Sequence, residues 1–228
     1  MSVTSLNLDN KSLRQSFINC NTTQWHSIHF RNEDIIKDNN PSLISYIDGG
    51  KNILKCIKPR STTEIVKLLW GHSRLSKEIK GNKLLKKIGI RTPQILDVSY
   101  GFLPSSEYRF LGYYIMENLE HSAYSNAFTL VKSGEISGDK LKSLLNAFRK
   151  DIIKMREHRI VFNDLKLNNI FSNNNAEVIW IDTGVSYYNF LKTKRFEKKF
   201  NHSIDRLLRI YKDYIPQEDA ELFIALKF

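Results

Sequence analysis

The chain contains little cysteine, no long hydrophobic run and no glycine before Gly49. Its two cysteines, Cys20 and Cys56, form no metal-type cluster. Because no run of 18 apolar residues occurs, we expect no transmembrane helix. The first residues also lack the basic-then-apolar order of a secretory signal. These absences predict reduced thiols and a cytoplasmic location.

The 228 residues are enough for one large domain or for two small lobes around a cleft. Hydrophobic residues make up 41% and charged residues 26%, which is ordinary for a globular protein. The formal net charge of +11 favours an anionic partner such as nucleic acid, an acidic membrane surface or a phosphorylated substrate. A lysine-rich composition of the source explains the charge equally well.

The most informative stretch runs from Phe162 to Gly184 and carries two aspartates, Asp164 and Asp182. Asn169 lies between them, and an apolar run predicts a short strand that leads directly into Asp182. Phosphoryl transfer requires one carboxylate to orient the attacking hydroxyl and accept its proton. It also requires a second carboxylate and an amide oxygen to hold Mg²⁺. A polar turn before a buried strand is the structural alternative.

The pattern D-L-K-x-x-N, followed by a strand and D-x-G, resembles the catalytic loop and metal-binding turn of the protein-kinase-like superfamily. Thr183 replaces the usual aromatic residue of the second motif, and Phe162-Asn163 replace the usual His-Arg of the first. The resemblance implies an α+β fold with a small antiparallel-sheet N-lobe and a mainly helical C-lobe. It implies ATP and Mg²⁺ as cofactors, Asp164 and Lys166 as catalytic residues, and Asn169 and Asp182 as metal ligands.

Ser42 to Lys58 is predicted to form a β-hairpin around the turn Asp48-Gly49-Gly50. Lys55 lies between two isoleucines on one face of its second strand. In the superfamily, a lysine near this place binds the α and β phosphates of ATP, and the resemblance gives that role to Lys55. An edge-strand lysine that reaches solvent is the alternative, and Lys58 is the candidate if the register is shifted.

The glycine-rich loop that covers the phosphates in this superfamily is missing, since no glycine precedes the hairpin. The segment Lys37 to Ser42 is the candidate for its place, because Asn and Ser form tight turns and offer backbone N–H groups.

Ser73 to Ile88 is predicted to be a helix that ends at Gly89. The resemblance implies that Glu78, in the middle of this helix, pairs with the strand lysine. The alternative is a glutamate on a charged, exposed helix surface. The run Tyr108 to Leu119 is predicted to be a central strand followed by a connector. By analogy, Glu117 and Leu119 lie near the adenine of ATP.

Lys140 to His158 shows the clearest helical periodicity, with Ser137 or Asp139 as its cap. Beyond the second motif, basic residues crowd among Phe190, Phe196 and Phe200, which suits a membrane interface or an anionic ligand. A solvated helix with Phe196 and Phe200 packed inward is the alternative. His202 to Ile215 is predicted to form a further helix. The resemblance implies that Asp205 braces the backbone of the catalytic loop.

The run LLWGHSRLSKEIKGNKLLKKIGIRTPQIL resembles the first-lobe helix and following turn of the bacterial lipopolysaccharide-core kinases, the Kdo/heptose kinase group. That resemblance implies a single kinase-like domain, with an N-lobe at about 26–118, a C-lobe at about 119–228 and an extension at 1–25. It also implies phosphorylation of a sugar hydroxyl on an anionic glycolipid or oligosaccharide. Peripheral contact with the cytoplasmic face of an anionic membrane fits this activity, and no nucleic acid is expected.

Two other functions agree with the motifs. The first is another kinase-like phosphotransferase that acts on a protein or on a small molecule such as an aminoglycoside, although the excess of lysine disfavours a cationic acceptor. The second is a catalytically weak regulator with a kinase fold, which the missing glycines would permit.

Overall fold

The computed structural model describes residues 34–39, 42–61, 63–64, 73–100 and 112–228, and the chain divides into two compact units. The first unit comprises Met1–Ser76 and Gln94–His121, and the second comprises Lys77–Pro93 and Ser122–Phe228. The extension expected at 1–25, Cys20 and the start of the strand expected at 108–119 lie outside the described residues.

Five described strands of the first unit form an antiparallel sheet in the order β1-β2-β3-β5-β4. The strands are β1 (Ile35–Asn39), β2 (Ser42–Ile47), β3 (Asn52–Ile57), β4 (Ile95–Tyr100) and β5 (Gly112–Glu117). Their core consists of Leu43, Ile47, Leu54, Cys56, Tyr113 and Ile115. This small antiparallel sheet confirms the predicted architecture of the first lobe.

The predicted hairpin is confirmed, since β2 and β3 pair in register from Ser42 opposite Ile57 to Ile47 opposite Asn52. Its turn places Asp48, Gly49 and Gly50 at positive φ, a conformation that glycine adopts without strain. At the other end of β2, the segment expected to cover phosphates lies partly in strands, because residues 37–39 end β1 and Ser42 begins β2. The Ser42 amide donates to Asn39 Oδ1 at 3.2 Å.

The described helices are α1 (Arg74–Lys87), α2 (Ala127–Lys132), α3 (Gly138–Glu157), α4 (Thr193–Ile210) and α5 (Gln217–Ile224). Helix α1 was expected to belong to the first lobe, but residues 77–93 group with the helical unit. The physical reason is that Leu85 and Ile90 are buried in the hydrophobic core of the second unit.

Helices α1 and α3 confirm the helices predicted from apolar spacing. Helix α1 ends in a Schellman motif, in which Ile90 N–H donates to Leu85 O and Gly89 N–H donates to Lys86 O, both at 3.0 Å. Gly89 has the positive φ that this motif requires. The apolar residues behind the predicted periodicity of α3 are buried, except that Leu141 is only half-buried; the buried residues are Leu144, Leu145, Phe148, Ile152 and Met155. Ser137 stands at its N-cap position without a side-chain capping bond.

Helix α4 differs from the prediction, which placed a helix at His202 to Ile215. The observed helix begins at Thr193 and ends at Ile210. One continuous buried stripe explains the earlier start: Phe196, Phe200, Ile204 and Leu207. Among the described residues, no helix combines the length and the hydrophobicity needed to cross a bilayer.

Short strands in the second unit carry the two predicted motifs. The strands are β6 (Ser125–Asn126), β7 (Ile160–Phe162), β8 (Ile170–Ser172), β9 (Val178–Trp180) and β10 (Val185–Tyr187). Strands β6, β8 and β9 form one sheet, and β7 pairs with β10 in another. All of these pairs are antiparallel. The loop with Asp164 therefore joins β7 to β8, and the turn with Asp182 joins β9 to β10.

Candidate active site

The loop between β7 and β8, here called the catalytic loop (Asn163–Asn169), is held at both ends by buried strands. Ile160 and Ile170 are fully buried in the core of the second unit. Between them, a 3₁₀ turn at Leu167–Asn169 also buries Leu167 completely. Although the apolar residues of the loop point into the core, Asp164 remains at the surface, and its side chain is 45% exposed.

Asp164 is surrounded by two cationic side chains. Lys166 Nζ lies 2.9 Å from Asp164 Oδ1 and 3.0 Å from Oδ2. Arg206, which extends from helix α4, places Nη2 3.1 Å from Oδ1. Sequence reasoning paired Asp164 with Lys166 through the motif but missed Arg206. Its contribution depends on how α4 packs, and no local pattern indicates it.

Asn169 is tied to the backbone beside Asp164. Its Nδ2 donates to Asp164 O at 2.8 Å and lies 3.4 Å from Asp164 Oδ2. The side chain is only 7% exposed. Since the amide nitrogen is used in these contacts, the amide oxygen is the atom that remains for a metal ion, and the metal-ligand role stays a prediction.

The brace of the catalytic loop is Tyr211 rather than Asp205. The Tyr211 hydroxyl accepts from Asn168 N–H at 3.3 Å and donates to Asn168 Oδ1 at 2.5 Å. Asp205, for which the resemblance implied this role, is exposed and bonds Lys227 Nζ at 2.8 Å. The reason is the position of α4: Asp205 lies near the middle of this helix, opposite its buried stripe, whereas Tyr211 follows its last residue.

The second motif forms a tight turn, here called the metal turn (Asp182–Gly184). Ile181 N–H donates to Asn169 O at 2.9 Å, so the turn begins beside the catalytic loop. Asp182 has a φ of 50°, in the left-handed region that non-glycine residues seldom adopt. Gly184 N–H donates back to Asp182 O at 2.6 Å. Such strain persists only where the surrounding structure imposes it, and it is common at functional sites.

Helix α1 supplies that support to the metal turn. Thr183 Oγ1 donates to Glu78 O at 2.8 Å, and Thr183 is 6% exposed. Gly81 faces the turn so closely that a Cβ there would lie 1.8 Å from Thr183 O. Sequence reasoning missed Gly81, although an isolated glycine inside a predicted helix indicates a close contact.

Strand β9, which leads into the metal turn, is fixed by Arg91 and Asp151. Arg91 O accepts from Trp180 N–H at 2.9 Å, and the Arg91 guanidinium lies 2.9 Å from Glu177 Oε2. Trp180 Nε1 donates to Asp151 Oδ2 at 2.8 Å.

Burial raises the pKa of the Asp151 carboxyl, and the bond from Trp180 opposes this effect. A hydrogen bond from Tyr124 lowers the pKa of Glu177.

Lys55 lies in an interior strand of the first unit and is 5% exposed, so it is not an edge-strand lysine that reaches solvent. Its Nζ lies 5.7 Å from the centroid of the Tyr114 ring, directly across the strand pair. The alternative candidate, Lys58, pairs with Asp38 on β1. The structure thus favours Lys55 over Lys58 as the candidate strand lysine. The pair predicted between Lys55 and Glu78 joins residues of different units and stays a prediction.

Of the residues predicted near adenine, Glu117 ends strand β5 and Leu119 lies two positions beyond it. Glu117 accepts from Gln94 N–H at 2.7 Å through Oε1 and donates to Gln94 O at 3.1 Å through its amide. Leu119 is 4% exposed. These contacts fix the connector to its own sheet, and the contact with adenine stays a prediction.

No family model and no curated protein matches the chain. Among solved structures, the chain is similar to WbdD, whose crystal structure was determined at 2.2 Å resolution. The TM-score is 0.50 at 14% identity, over 83% of this chain and 43% of the WbdD chain. The fold is protein-kinase-like. At this identity the similarity shows the fold alone, and the chain spans less than half the length of WbdD.

The donor set of this kinase-like fold suits Mg²⁺ that is held together with a nucleotide. In the described part of the chain, no group of three or more His, Cys, Asp or Glu side chains is placed for a metal ion. Mg²⁺ usually binds one or two carboxylates together with substrate phosphates and water, so it needs no such cluster. The Asn169 amide, with its nitrogen already bonded, and the exposed Asp182 carboxylate meet this requirement.

Proposed function

We propose that the protein is an ATP- and Mg²⁺-dependent kinase that phosphorylates a sugar hydroxyl of the lipopolysaccharide core, on Kdo or heptose. The observation that carries this proposal is the linkage between the two motifs. Asn169 bonds the Asp164 backbone through its side chain, and its own carbonyl accepts from Ile181, next to Asp182. The resemblance of the α1 region to the lipopolysaccharide-core kinases supports the choice of acceptor.

Each residue of the linked motifs has a defined task in this reaction. Asp164 orients the acceptor hydroxyl and takes its proton, and Lys166 stabilises the charge on the carboxylate and on the transferred group. Asn169 and Asp182 would hold Mg²⁺, and bound Mg²⁺–ATP supplies the phosphoryl group. Lys55 would bind the α and β phosphates, with Glu78 orienting it, and Glu117 and Leu119 would lie near the adenine.

The cations around Asp164 support an anionic acceptor. Lys166 and Arg206 both lie within 3.1 Å of the Asp164 carboxylate. The two cations and this carboxylate together carry a net charge of about +1. A positive surface there attracts an acidic sugar or a phosphorylated oligosaccharide and disfavours a cationic acceptor such as an aminoglycoside.

The test is ATP turnover by the full-length protein with purified core oligosaccharide as the acceptor. We expect Asp164→Ala to lower turnover by about 10²–10⁴-fold with little change in ATP affinity, because Asp164 acts on the hydroxyl. We expect Asp182→Asn to lose Mg²⁺-dependent transfer while it remains folded, because the metal loses its carboxylate. Asp213→Ala, which removes an exposed carboxylate on the same unit, is the matched control.

The outcomes separate the three functions. Transfer to core oligosaccharide that requires Asp164 supports the proposal. Transfer to a protein or a small molecule, but not to the oligosaccharide, would retain the phosphotransferase and reject the acceptor. Binding of ATP without turnover on any acceptor, unchanged in Asp164→Ala, would identify a regulator with a kinase fold.

A further inference from the structure

The largest exposed apolar side chains of the second unit lie together just before helix α4. Tyr187 is 62% exposed, Phe190 is 82% exposed and Leu191 is 94% exposed. We call these three residues the apolar tip. Phe190 and Leu191 lie in a 3₁₀ turn, Phe190–Lys192, that leads directly into the helix. Adjacent apolar side chains at such high exposure are unusual for a surface turn and indicate an interaction site.

The apolar tip is held in place by Arg159. Its guanidinium donates to Tyr188 O at 3.2 Å, to Asn189 O at 3.4 Å and to Thr193 Oγ1 at 2.9 Å. The same group lies 5.2 Å from the centroid of the Phe190 ring. These contacts hold the backbone of the turn, so little backbone conformational entropy remains to be lost when Phe190 and Leu191 bind.

Cations flank the apolar tip on helix α4. The exposed residues Lys192, Lys194, Arg195, Lys198 and Lys199 form a group that we call the basic stripe. Phe196 and Phe200 point the other way and are 1% and 2% exposed. The stripe is therefore one face of an amphipathic helix whose apolar face is already packed. The alternative predicted from the sequence, a solvated helix with Phe196 and Phe200 packed inward, is confirmed.

We propose that the apolar tip inserts into the surface of an anionic phospholipid bilayer while the basic stripe binds its headgroups. Lysines next to exposed aromatic and leucine side chains are the combination that interfacial membrane binding requires. The charge of the stripe disfavours a second copy of this chain as the occupant, because a symmetric contact would bring the two stripes together. This surface goes beyond the proposed kinase activity, and its test requires neither ATP nor an acceptor.

A second exposed apolar pair provides the matched control. Leu222 and Ile224 on helix α5 are 44% and 50% exposed. Their surroundings are acidic, since Glu218, Asp219 and Glu221 belong to the same helix. An anionic bilayer would repel this helix, so its apolar residues are not expected to insert.

The experiment is co-sedimentation of the full-length protein with vesicles of phosphatidylglycerol and phosphatidylcholine, and with vesicles of phosphatidylcholine alone. We expect binding to the anionic vesicles only. Phe190→Ser with Leu191→Ser should weaken it by about tenfold or more at any salt concentration, because insertion is hydrophobic. Leu222→Ser with Ile224→Ser should leave binding unchanged.

Charge reversal separates the stripe from the tip. Glutamate at Lys194, Arg195, Lys198 and Lys199 should weaken binding by about tenfold or more at low salt, and less as salt screens the charges. Glutamate at Lys132, Lys140, Lys142 and Lys150, four exposed lysines elsewhere on the unit, makes the same change in net charge as a control. Equal weakening by both sets would reduce the effect to net charge and overturn the role of the stripe.

Leu191→Trp gives a direct readout of insertion that does not depend on loss of binding. Its fluorescence, taken as the difference from wild type, should shift to the blue with anionic vesicles and be quenched by brominated lipid. No shift, or full binding by the Phe190→Ser, Leu191→Ser variant, would overturn insertion. A wild-type dimer in light scattering that this double variant abolishes would assign the tip to a second copy and also overturn the proposal.

Discussion

The two segments that carry the candidate aspartates are held in different ways. In the catalytic loop, Asp164 is held by polar side chains: Lys166, Arg206 and Asn169 contact it, and Tyr211 bonds the neighbouring Asn168. The metal turn is supported mainly by contacts with main-chain atoms and by close packing. The turn meets helix α1 through one hydroxyl, Thr183 Oγ1, and through the space left by Gly81.

This difference predicts different tolerance to mutation. Several polar contacts share the work in the catalytic loop, so the loss of one leaves the others in place. A close backbone contact has no such reserve, because one added methyl group must displace a main-chain oxygen. The metal turn should therefore respond to a smaller chemical change than the catalytic loop.

Among the residues that support the two segments, the largest effect is expected from Gly81→Ala. The added Cβ would lie 1.8 Å from Thr183 O, so the helix or the turn must move. Displacement of a catalytic group by about 1 Å costs roughly 10²-fold in turnover. The clash should outweigh the higher helix propensity of alanine, which is worth about 1 kcal/mol. Turnover and thermal unfolding of this variant, beside Lys83→Ala at an exposed position of the same helix, measure the effect. Turnover at the wild-type level would show that the turn can shift without loss of activity.

A smaller effect is expected from Tyr211→Phe. The change removes the hydroxyl that bonds Asn168 but keeps the ring, which packs edge-on against Phe128 at 5.1 Å. We expect a loss of about 1–2 kcal/mol in stability, as for one buried hydrogen-bonding group, and a fall in turnover well below that of Gly81→Ala. Tyr214→Phe is the matched control, because Tyr214 packs against the same Phe128 ring at 5.1 Å. A larger loss of turnover than in Gly81→Ala would reverse the comparison.

The smallest effect is expected from Asp151→Asn, which tests the strand before the metal turn. Burial raises the pKa of Asp151 above 3.8, so the folded state binds this proton more tightly than the unfolded state does. Wild-type stability should therefore decline as the pH rises from about 3.8 through the folded pKa, and the variant lacks this decline. The asparagine keeps an acceptor for Trp180 Nε1. Thermal unfolding of both proteins from acid to neutral pH should show the variant gaining relative stability, whereas parallel curves would contradict the assignment.

Sequence patterns predicted those elements whose cause is local. The Asp48-Gly49-Gly50 turn fixed the hairpin, and apolar spacing fixed α1 and α3. For α4 they predicted a start at His202 rather than Thr193 and left the helix with Phe196 and Phe200 packed inward as an alternative, because its lysine-rich first turns mask the buried stripe. The two motifs predicted Asp164, Asn169 and Asp182 as candidate site residues, because the residues of each motif lie close together in the sequence.

The supports of the site could not be predicted in the same way. Arg206 on helix α4 and Tyr211 just after it reach the catalytic loop from about 40 residues further along the chain. Their choice over Asp205 depends on the rotation of α4, which tertiary packing sets. Gly81 could have been noticed in the sequence, because an isolated glycine inside a predicted helix indicates a close contact. Its partner in the metal turn is visible only in the folded chain.

The contact between Thr183 and Glu78 spans 105 residues of sequence. During synthesis on a ribosome, α1 therefore emerges long before the turn that covers Gly81. At about 5–20 residues per second, roughly 5–20 s pass before Thr183 has been added to the chain. The nascent protein thus carries an uncovered helix face throughout this interval.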